Sequence, residues 1–466
     1  MVAEAVSATG YVRIKQLAKS MRCNAPDLLV LARQNDPFYA GSPAQESRAA
    51  WFASLWERFA YTTGVHLRRI HYQLVSQHDP QKDDGTPYEN TEGCWGYLSE
   101  AAKAARYLGY VRADAFIDRR NPEPHILAPG FRQTPTPEWW VGELAAGLPT
   151  VPVGLAGELN LRLPHAYADG YEYEPGDQPY HVELWVEKST MDDVLIPVCQ
   201  ELGLNLVTSL GFQSITSVIA LIQRVAATER PARIFYISDF DPAGDGMPTA
   251  VARQLEYWLA EYAADADVAL TPLALTREQV ERYRLPRIPV KDSDRRKANF
   301  EERYGEGAVE LDALEALQPG VLAQLVSEAV APYRDGTLAR RLGEASRQAQ
   351  QAVDDAWEQV TAQYQDELDA IEQGAEPIVD RYQSRLHQLR DEMAAELAPL
   401  EERLDGVRQA IQITALTMTA ELPARPRPES PDVDEGDWLF RSDREYLDQL
   451  AVYKRRKQCE WQEESA

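Results

Sequence analysis

Apolar and polar residues alternate in one part of the chain and follow a helical period in another. Residues 181–188, HVELWVEK, alternate as in a β-strand, with Val182, Leu184 and Val186 on one face. A helical segment, the strand NLVTSLGF, a second helical segment and the strand RIFYIS follow in that order. Strands that alternate with helices predict right-handed crossovers and a parallel sheet, and ligands bind such sheets beyond the carboxyl ends of the strands.

The helical period dominates from about residue 338 to 413. Apolar residues recur every three or four positions in two runs, 353–371 and 378–411. Between the runs, the segment QGAEP contains a glycine and a proline, which commonly end helices. The pattern predicts an antiparallel coiled-coil hairpin that turns at QGAEP.

The region before the alternating segment is mainly helical. A first helix is predicted through SLWERFAYTTGVHLRRIHYQLVSQ and a second through GCWGYLSEAAKAARYLGYV, and the following RADAFIDRRNPEP alternates like the hairpin of a wing. Helices followed by a wing predict a winged helix-turn-helix at 51–135, a module that usually binds DNA and less often contacts protein. Residues 1–50 fit either a small helix-turn-helix or, as we expect, a helical cap on the next domain.

The pattern thus predicts an α/β and α protein with several domains. At roughly 150 residues per domain, a chain of this length holds about three. The predicted regions are an N-terminal helical cap (1–50), a winged-helix domain (51–135), a connector (136–179), an α/β domain (180–335), a coiled-coil hairpin (338–413), and a Pro-rich linker with a basic tail (414–466).

The composition narrows the function. With 74 acidic and 48 basic residues the net charge is −26, which argues against a non-specific DNA coat but is compatible with a DNA enzyme that has a local basic patch. The four cysteines lie far apart and include no CxxC pair, so neither a structural zinc site nor a disulfide framework is predicted. Without an apolar run of membrane-spanning length or a secretory signal, we expect a soluble, cytoplasmic protein.

Three carboxylates are predicted at the carboxyl ends of two strands. Glu187 ends the first strand, and 52 residues later Asp239 and Asp241 follow another strand in the turn SDFDPAGD. Two aspartates two positions apart on an extended segment project to the same side, which suits an all-oxygen Mg²⁺ site. A third carboxylate can bind the metal or move a proton. A solvated acidic turn is the alternative, but this spacing in a βαβαβ unit is far more specific than a lone DxD.

This order of strand-end Glu, βα units and strand-end DxD resembles the Toprim domain, and D-x-D-P-x-G resembles its form in the topoisomerase VI A subunit and the related meiotic double-strand-break protein. In that family a winged-helix domain precedes Toprim and bears a nucleophilic tyrosine at the end of R-[DE]-x-[YF]-Y. The corresponding stretch is Arg68-Arg69-Ile70-His71-Tyr72, in which Arg69 replaces the acidic residue and His71 the aromatic one. The resemblance covers about residues 50–330, and LPRIPVKDSDRRKANFEERYGEGAVELDAL resembles mostly uncharacterised chains of bacteria and mobile elements.

The resemblance implies a Toprim catalytic domain at 180–335 that acts on double-stranded DNA. Asp239 and Asp241 would bind Mg²⁺ or Mn²⁺, with Glu187 as a further ligand or as the acid–base group. The attacking oxygen would come from Tyr72, assisted by Arg68, or from water. A homodimer is implied because the family's tyrosine serves the metal site of the partner protomer. The residues expected to contact DNA are Arg68, Arg69, Lys103, Arg106, Arg119, Arg120 and Lys188.

Several roles stay open on the sequence alone. Glu310 and Asp312, in VELDAL, either add a second metal site or cap a helix, and we favour the cap. No GxxxxGK[ST] loop is present, so strand passage would need a separate ATPase subunit, and the hairpin is a candidate arm for such a partner. We expect the nuclease subunit of a defence or mobile-element system; a topoisomerase-like enzyme, another Toprim activity and a non-enzymatic DNA-binding scaffold are the alternatives. Further candidates for phosphate contact are Arg295, Arg296 and Lys297.

Overall fold

The computed structural model describes residues 10–119, 121–128, 134–149, 160–383, 390–431, 433 and 436–458. Arg120, one of the predicted DNA contacts, lies outside these residues. The chain divides into two compact units, which we call the sheet unit (Met1–Arg132, Gln178–Asp335 and Glu429–Ala466) and the hairpin unit (Gln133–Asp177 and Gly336–Pro428). Among the described residues, no helix combines the length and the apolar character needed to cross a membrane.

Among the described residues, four helices precede the central sheet: α1 (Tyr11–Met21), α2 (Pro43–Arg58), α3 (Leu67–Val75) and α4 (Glu92–Tyr107). The single helix predicted across residues 54–77 is wrong, because the chain breaks there into α2 and α3. Gly64 has a left-handed φ of +69° at the break, and the His66 ring caps α3 by accepting the Arg68 N–H at 3.2 Å. Arg68 therefore lies in the first turn of α3, and Tyr72 lies one turn later.

The N-terminal segment packs on the core of the sheet unit. Ile14 in α1 belongs to the same buried cluster as Trp258. Asp36, in the loop after α1, forms a fully buried ion pair with Arg253 at 3.0 Å. Described residues 10–42 contain one helix and two short 3-10 turns, and α2 begins only at Pro43, so they do not form the small helix-turn-helix that was the alternative to a cap.

The wing predicted after α4 is not formed by the described residues of that segment. Residues 113–115 form a 3-10 turn, Phe116 pairs with Val65 in an isolated bridge, and His125 pairs with Leu206 at the edge of the large sheet. Phe116 is buried in the aromatic cluster between the helices. The alternation of this segment therefore reflects packing within the sheet unit.

The described part of the predicted connector includes four short strands of the hairpin unit: β1 (Glu138–Val141), β2 (Ala146–Gly147), β3 (Asn160–Leu161) and β4 (Ala166–Asp169). Strand β1 pairs with β4, and β2 pairs with β3, both antiparallel. Leu144, Leu161 and Ala166 are buried with Trp357 of the predicted hairpin, so this segment folds onto the hairpin and is more than a linker.

A five-stranded sheet forms the centre of the sheet unit. Its strands are β5 (His181–Val186), β6 (Asn205–Thr208), β7 (Ala232–Ile237), β8 (Val268–Ala274) and β9 (Phe440–Arg441). They lie in the order β6-β5-β7-β8-β9, and only β9 is antiparallel to its neighbour. The predicted parallel sheet, with its three predicted strands, is confirmed.

Helices cover both faces of this sheet: α5 (Asp192–Leu202), α6 (Ile215–Thr228), α7 (Met247–Tyr262), α8 (Arg277–Arg282), α9 (Lys297–Tyr304), α10 (Leu311–Leu317) and α11 (Val321–Val330). Val182, Leu184 and Val186 lie in the buried cluster on one face, and Trp185 lies in the cluster on the other, so the predicted alternation is confirmed. Every residue of β5 is buried. Polar side chains of this strand therefore reach solvent only beyond its ends.

The hairpin unit contains two long helices, α12 (Leu338–Gln383) and α13 (Arg390–Ala415). They run antiparallel, because Glu367 pairs with Arg403 at 2.7 Å while Tyr382, later in α12, donates to Glu396, earlier in α13, at 2.7 Å. The predicted turn at QGAEP is wrong, because α12 continues through Gly374 and Pro377. A Cβ on Gly374 would make an ordinary van der Waals contact with the Leu400 side chain at 3.4 Å, so this glycine faces α13 and does not end α12.

Part of the predicted linker and basic tail is folded. Residues Phe440–Arg441 form β9 of the sheet, and helix α14 (Tyr446–Gln458) follows. Phe440 is almost fully buried, and the Tyr446 hydroxyl donates to the Leu28 carbonyl at 2.6 Å. The end of the described chain therefore closes the edge of the sheet beside β8.

Candidate functional site

The three predicted carboxylates meet at one edge of the sheet. Glu187 follows β5, and Asp239 and Asp241 follow β7, the strand that pairs with β5. The Glu187 N–H donates to the Ile237 carbonyl at 2.9 Å, and the Asp239 N–H donates to Glu187 Oε2 at 2.9 Å. The structure thus brings together the strand-end carboxylates that the sequence predicts as a group, which we call the acidic cluster.

A tight turn holds the two aspartates in place. Asp241 Oδ1 accepts the N–H groups of Ala243 at 2.8 Å and Gly244 at 2.6 Å, so the side chain closes the turn. A Cβ on Gly244 would lie only 2.0 Å from the Asp239 carbonyl oxygen. Only glycine therefore fits this position without moving the backbone of Asp239.

The acidic cluster carries unbalanced negative charge. Burial, together with repulsion from Asp239 and Asp241, raises the pKa of Glu187 to about 7, although the Asp239 N–H opposes the shift. Burial also raises the pKa of Asp239, against the lowering effect of the Lys188 ammonium. Two neighbouring groups whose carboxylate form is disfavoured indicate a site that would gain from an added cation.

A segment far along the chain brings two more acids to this edge. The backbone of Val309 pairs with that of Phe240 through two hydrogen bonds of 2.9 Å, which places Glu310 and Asp312 beside the DxD turn. Glu310 occupies the N-cap position of α10, but its side chain makes no capping hydrogen bond. Glu310 thus occupies the capping position that we favoured from the sequence, but its side chain does not cap the helix.

Lys188 lies within this group of acids. Its ammonium is 2.8 Å from Asp239 Oδ2, 2.8 Å from Asp312 Oδ2 and 3.8 Å from Glu310 Oε2. Burial by itself lowers the pKa of Lys188, but the contacts with Asp239 and Asp312 outweigh burial and raise it. Lys188 was predicted as a DNA contact, and in the structure it is bound to carboxylates.

The chemistry of the donors fits a hard divalent cation. Carboxylate oxygens are the ligands that Mg²⁺ and Mn²⁺ prefer, and burial, the main cause of the raised pKa values of Glu187 and Asp239, disfavours their charged forms unless a cation compensates them. Within the described part of the chain, no three acidic, histidine or cysteine side chains already close around one point. Asp241 turns one oxygen to the backbone and Lys188 holds Asp239, so a bound ion requires these side chains to rearrange.

A basic cleft of about 990 Å³ adjoins this edge, between α3, α4 and the first turn of α6. Arg68, Arg69 and Arg119, all predicted to contact DNA, are exposed in its wall. Their guanidinium groups are free to meet an anion that enters the cleft, since no ion pair of theirs is found among the described residues.

The other predicted basic residues of the cleft serve internal contacts. The Lys103 ammonium donates to the Gln34 carbonyl at 2.9 Å and to Glu100 at 2.8 Å. Arg106 is buried, donates to the Ala113 carbonyl and to Thr216 Oγ1 at 3.2 Å, and its pKa is lowered by burial to about 10. Arg106 therefore joins α4 to the first turn of α6, which leaves little of it for a phosphate.

Tyr72 and His71 have opposite environments on α3. Tyr72 is 60% exposed, so it is not the core residue that a tyrosine on an amphipathic helix commonly is. His71 is buried, with Nδ1 2.7 Å from the Tyr88 hydroxyl and Nε2 3.1 Å from Asn90 Oδ1. Both nitrogens of His71 thus have partners inside the domain, and the phenol of Tyr72 is open to a substrate.

One loop links the acidic cluster to the basic cleft. After β6, Ser209 Oγ donates to the Val186 carbonyl at 3.1 Å, and the Gly211 N–H donates to the Glu187 carbonyl at 3.3 Å. Ser214, three residues later, caps α6 and lines the cleft. The cluster and the cleft therefore lie at the same carboxyl edge of the sheet.

Phe212 in this loop is a candidate site residue that the sequence analysis missed. It is 49% exposed, and the Arg296 guanidinium lies 5.8 Å from its ring centroid. Arg296 also binds Asp294 through two hydrogen bonds. The available signal was the pair of apolar residues, Leu210 and Phe212, in a loop directly after a strand, where polar residues are usual.

No protein-family model matches this chain, and no curated protein is significantly similar to it. Its function must therefore be inferred from the geometry of the site.

Proposed function

We propose that this chain is a Mg²⁺- or Mn²⁺-dependent enzyme that cuts DNA strands, with a Toprim domain of the topoisomerase VI A type at 180–335. One observation carries the proposal: Glu187, Asp239 and Asp241 stand together at the carboxyl edge of a parallel sheet with their negative charge incompletely balanced. Ligands of such sheets bind at this edge. A divalent cation supplies the missing charge and allows a phosphate to approach the acids.

Cleavage needs a cation, a group that transfers a proton and a firmly held geometry. A divalent cation held by Glu187, Asp239 and Asp241 would stabilise the charge that develops on the phosphate oxygens. Glu187, with a pKa of about 7, can accept or donate a proton near neutral pH. The Asp239 N–H orients Glu187, and the turn at Gly244 positions both aspartates.

The basic cleft is the proposed contact with double-stranded DNA. Because the net charge is −26, most of the surface repels DNA and only a local basic region can hold it. Arg68, Arg69 and Arg119 are the exposed cations of the cleft, on and beside the helices of the proposed winged-helix module. The loop after β6 leads from them to the acidic cluster.

The attacking oxygen has two candidate sources. Water gives irreversible hydrolysis, and the Tyr72 hydroxyl gives a covalent phosphotyrosyl intermediate and reversible cleavage, as in a topoisomerase. The exposure of Tyr72 favours the second candidate, since the phenol is already open to DNA. Arg68, four residues earlier on α3 and thus on the same helix face, is proposed to lower the cost of forming the phenolate.

We further propose that the enzyme acts as a homodimer in a defence or mobile-element system. The resemblance that motivates the dimer places the tyrosine of one protomer at the metal site of the other. The hairpin unit is the proposed contact for a separate ATPase or other partner subunit, because its helix pair carries charged pairs such as Glu367–Arg403 on its outer surface.

The test is the conversion of supercoiled plasmid to nicked or linear DNA by the purified chain. We expect cleavage with Mg²⁺ or Mn²⁺ and none with EDTA. Asp241→Asn, which can keep the turn but not the charge, should lower the rate at least about 100-fold. Asp265→Asn, an exposed aspartate elsewhere in the sheet unit, is the control and should retain full activity. Full activity of Asp241→Asn at equal stability would contradict the proposal.

The source of the attacking oxygen is tested with Tyr72→Phe, which removes one oxygen atom. If Tyr72 attacks, this variant is inactive and denaturant traps wild-type protein covalently on DNA, while Tyr110→Phe, another partly exposed tyrosine, remains active. In that case Arg68→Ala should impair cleavage more than Arg69→Ala. Equal cleavage by Tyr72→Phe and wild type, with no adduct, assigns the attack to water.

A further inference from the structure

Three separate segments of the sheet unit converge on the Lys188 ammonium. Lys188 follows β5, Asp239 follows β7, and Asp312 lies in the first turn of α10. The ammonium is 2.8 Å from each of these two carboxylates and 3.8 Å from Glu310 Oε2. A single cationic group therefore links acids that are more than 70 residues apart in the chain.

The position of this ammonium is set by the backbone around it. The Leu311 N–H donates to Asp239 Oδ1 at 2.7 Å, and the Val309–Phe240 pairing fixes the start of α10 against the DxD turn. Lys188 is only 20% exposed at its side chain. Both oxygens of Asp239 are thus engaged, one by a backbone N–H and the other by Lys188.

In sites that hold two divalent ions, the ions lie about 4 Å apart and clamp the attacking and leaving oxygens of the phosphate. Asp239 stands between the two groups of acids here, with Glu187 and Asp241 as one group and Glu310 and Asp312 as the other. The Lys188 ammonium lies between Asp239 and the second group, Glu310 and Asp312, where a second cation would otherwise bind.

We propose that Lys188 is a built-in cation of the site, so that the enzyme binds one divalent ion and uses the ammonium in the position of a second. The inference rests on the proposed function, because it concerns the same acidic cluster. An ammonium is a compact point charge with three donors, which can pass from Asp312 to a phosphate oxygen when DNA enters. Removal of this ammonium should leave Asp239, Glu310 and Asp312 able to bind a second divalent ion.

The experiment is calorimetric titration of the full-length protein with Mn²⁺ at pH 8, which needs no catalytic activity. We expect the wild type to bind one Mn²⁺ tightly and Lys188→Met to bind one more. Lys188→Met/Asp312→Asn should lose the extra ion. Arg340→Met, which breaks the exposed 2.9 Å pair with Glu344 in the hairpin unit, is the control and should not change the stoichiometry. Thermal unfolding of each variant verifies that it is folded.

The two claims fail separately in this experiment. The wild-type stoichiometry tests the proposed function, and a wild type that binds no Mn²⁺ contradicts it. The difference between Lys188→Met and wild type tests the role of Lys188. A folded Lys188→Met that binds the same number of ions as wild type, or a wild type that already binds two, overturns the built-in cation.

Discussion

Glu183 and Glu187 lie four residues apart on and just after β5, on the same face of the strand, yet their environments differ. Glu183 is fully buried and accepts two hydrogen bonds from Arg224, at 2.7 and 2.8 Å, and others from His181 and Trp185. Burial tends to raise the pKa of Glu183, but the Arg224 guanidinium outweighs it and the pKa falls well below its usual range. Inside the sheet, the charge of Glu183 is completely matched.

At Glu187 the pKa shifts in the opposite direction. Glu187 accepts one backbone N–H and faces two other acids, and its pKa rises to about 7. Glu187 is less buried than Glu183, so burial alone does not explain the difference. Helix α6 supplies the Arg224 guanidinium to Glu183, whereas at Glu187 burial and the two aspartates outweigh the Lys188 ammonium. This difference is what we expect if an external cation completes the edge site.

The largest expected effect is a loss of stability when Glu183, the glutamate paired with Arg224, is replaced. Glu183→Ala leaves Arg224 as a buried charge without its partner and should lower the free energy of unfolding by about 3–5 kcal/mol. Urea denaturation measures this loss. Glu201→Ala, an exposed glutamate on α5, is the control and should change stability by no more than about 0.5 kcal/mol. A loss below 1 kcal/mol for Glu183→Ala would show that the Glu183 network is not what holds the strand.

The next largest effect is expected at Gly244, in the turn that positions Asp239 and Asp241. Gly244→Ala forces a methyl group toward the Asp239 carbonyl and should cost about 1–3 kcal/mol of stability. Because the backbone of Asp239 must move, Mn²⁺ affinity should fall as well. Gly93→Ala, on α4 with open space around its Cβ position, is the control. Unchanged Mn²⁺ affinity in Gly244→Ala would mean that the turn does not position the acids.

Glu187→Gln should act in the opposite direction from Glu183→Ala. The folded pKa of about 7 is above the ordinary value of 4.5, so the folded state is favoured at pH values below 4.5 and loses this contribution as the pH rises through 7. Glutamine cannot ionise, so the variant should be more stable than wild type by about 1–2 kcal/mol at pH 8 and equally stable at pH 4. Urea denaturation at both pH values decides this. A variant less stable than wild type at pH 8 would contradict the unbalanced charge.

The smallest expected effect is on DNA affinity, and it compares arginines without an acidic partner with an arginine that has one. Arg68→Ala or Arg69→Ala should weaken DNA binding a few-fold and reduce the slope of log affinity against log salt by about 1. Arg112, which is bound to Asp114 through two hydrogen bonds, is the matched control and its removal should change neither quantity. Equal losses in all three variants would show that the cleft has no special role.

The sequence predicts those parts of the fold that depend on local pattern. The alternation in β5 and the turn at Asp239 and Asp241 are local, and both were recognised from a few residues. The end of α12 was misplaced because Gly374 resembles a helix breaker, and its packing against Leu400 is visible only in three dimensions. The role of Lys188 depends on pairing between segments about 70 residues apart, which no local pattern encodes.

The central claim is that Glu187 belongs to a site that binds a divalent cation. It is tested most directly by counting protons released when Mn²⁺ binds, from calorimetry in buffers of different ionisation enthalpy. At pH 6.5, below a pKa of about 7, we expect release of about three quarters of a proton, and at pH 8.5 almost none. Glu187→Gln should release none at either pH. Mn²⁺ binding without proton release at pH 6.5, or no binding at all, would contradict the account.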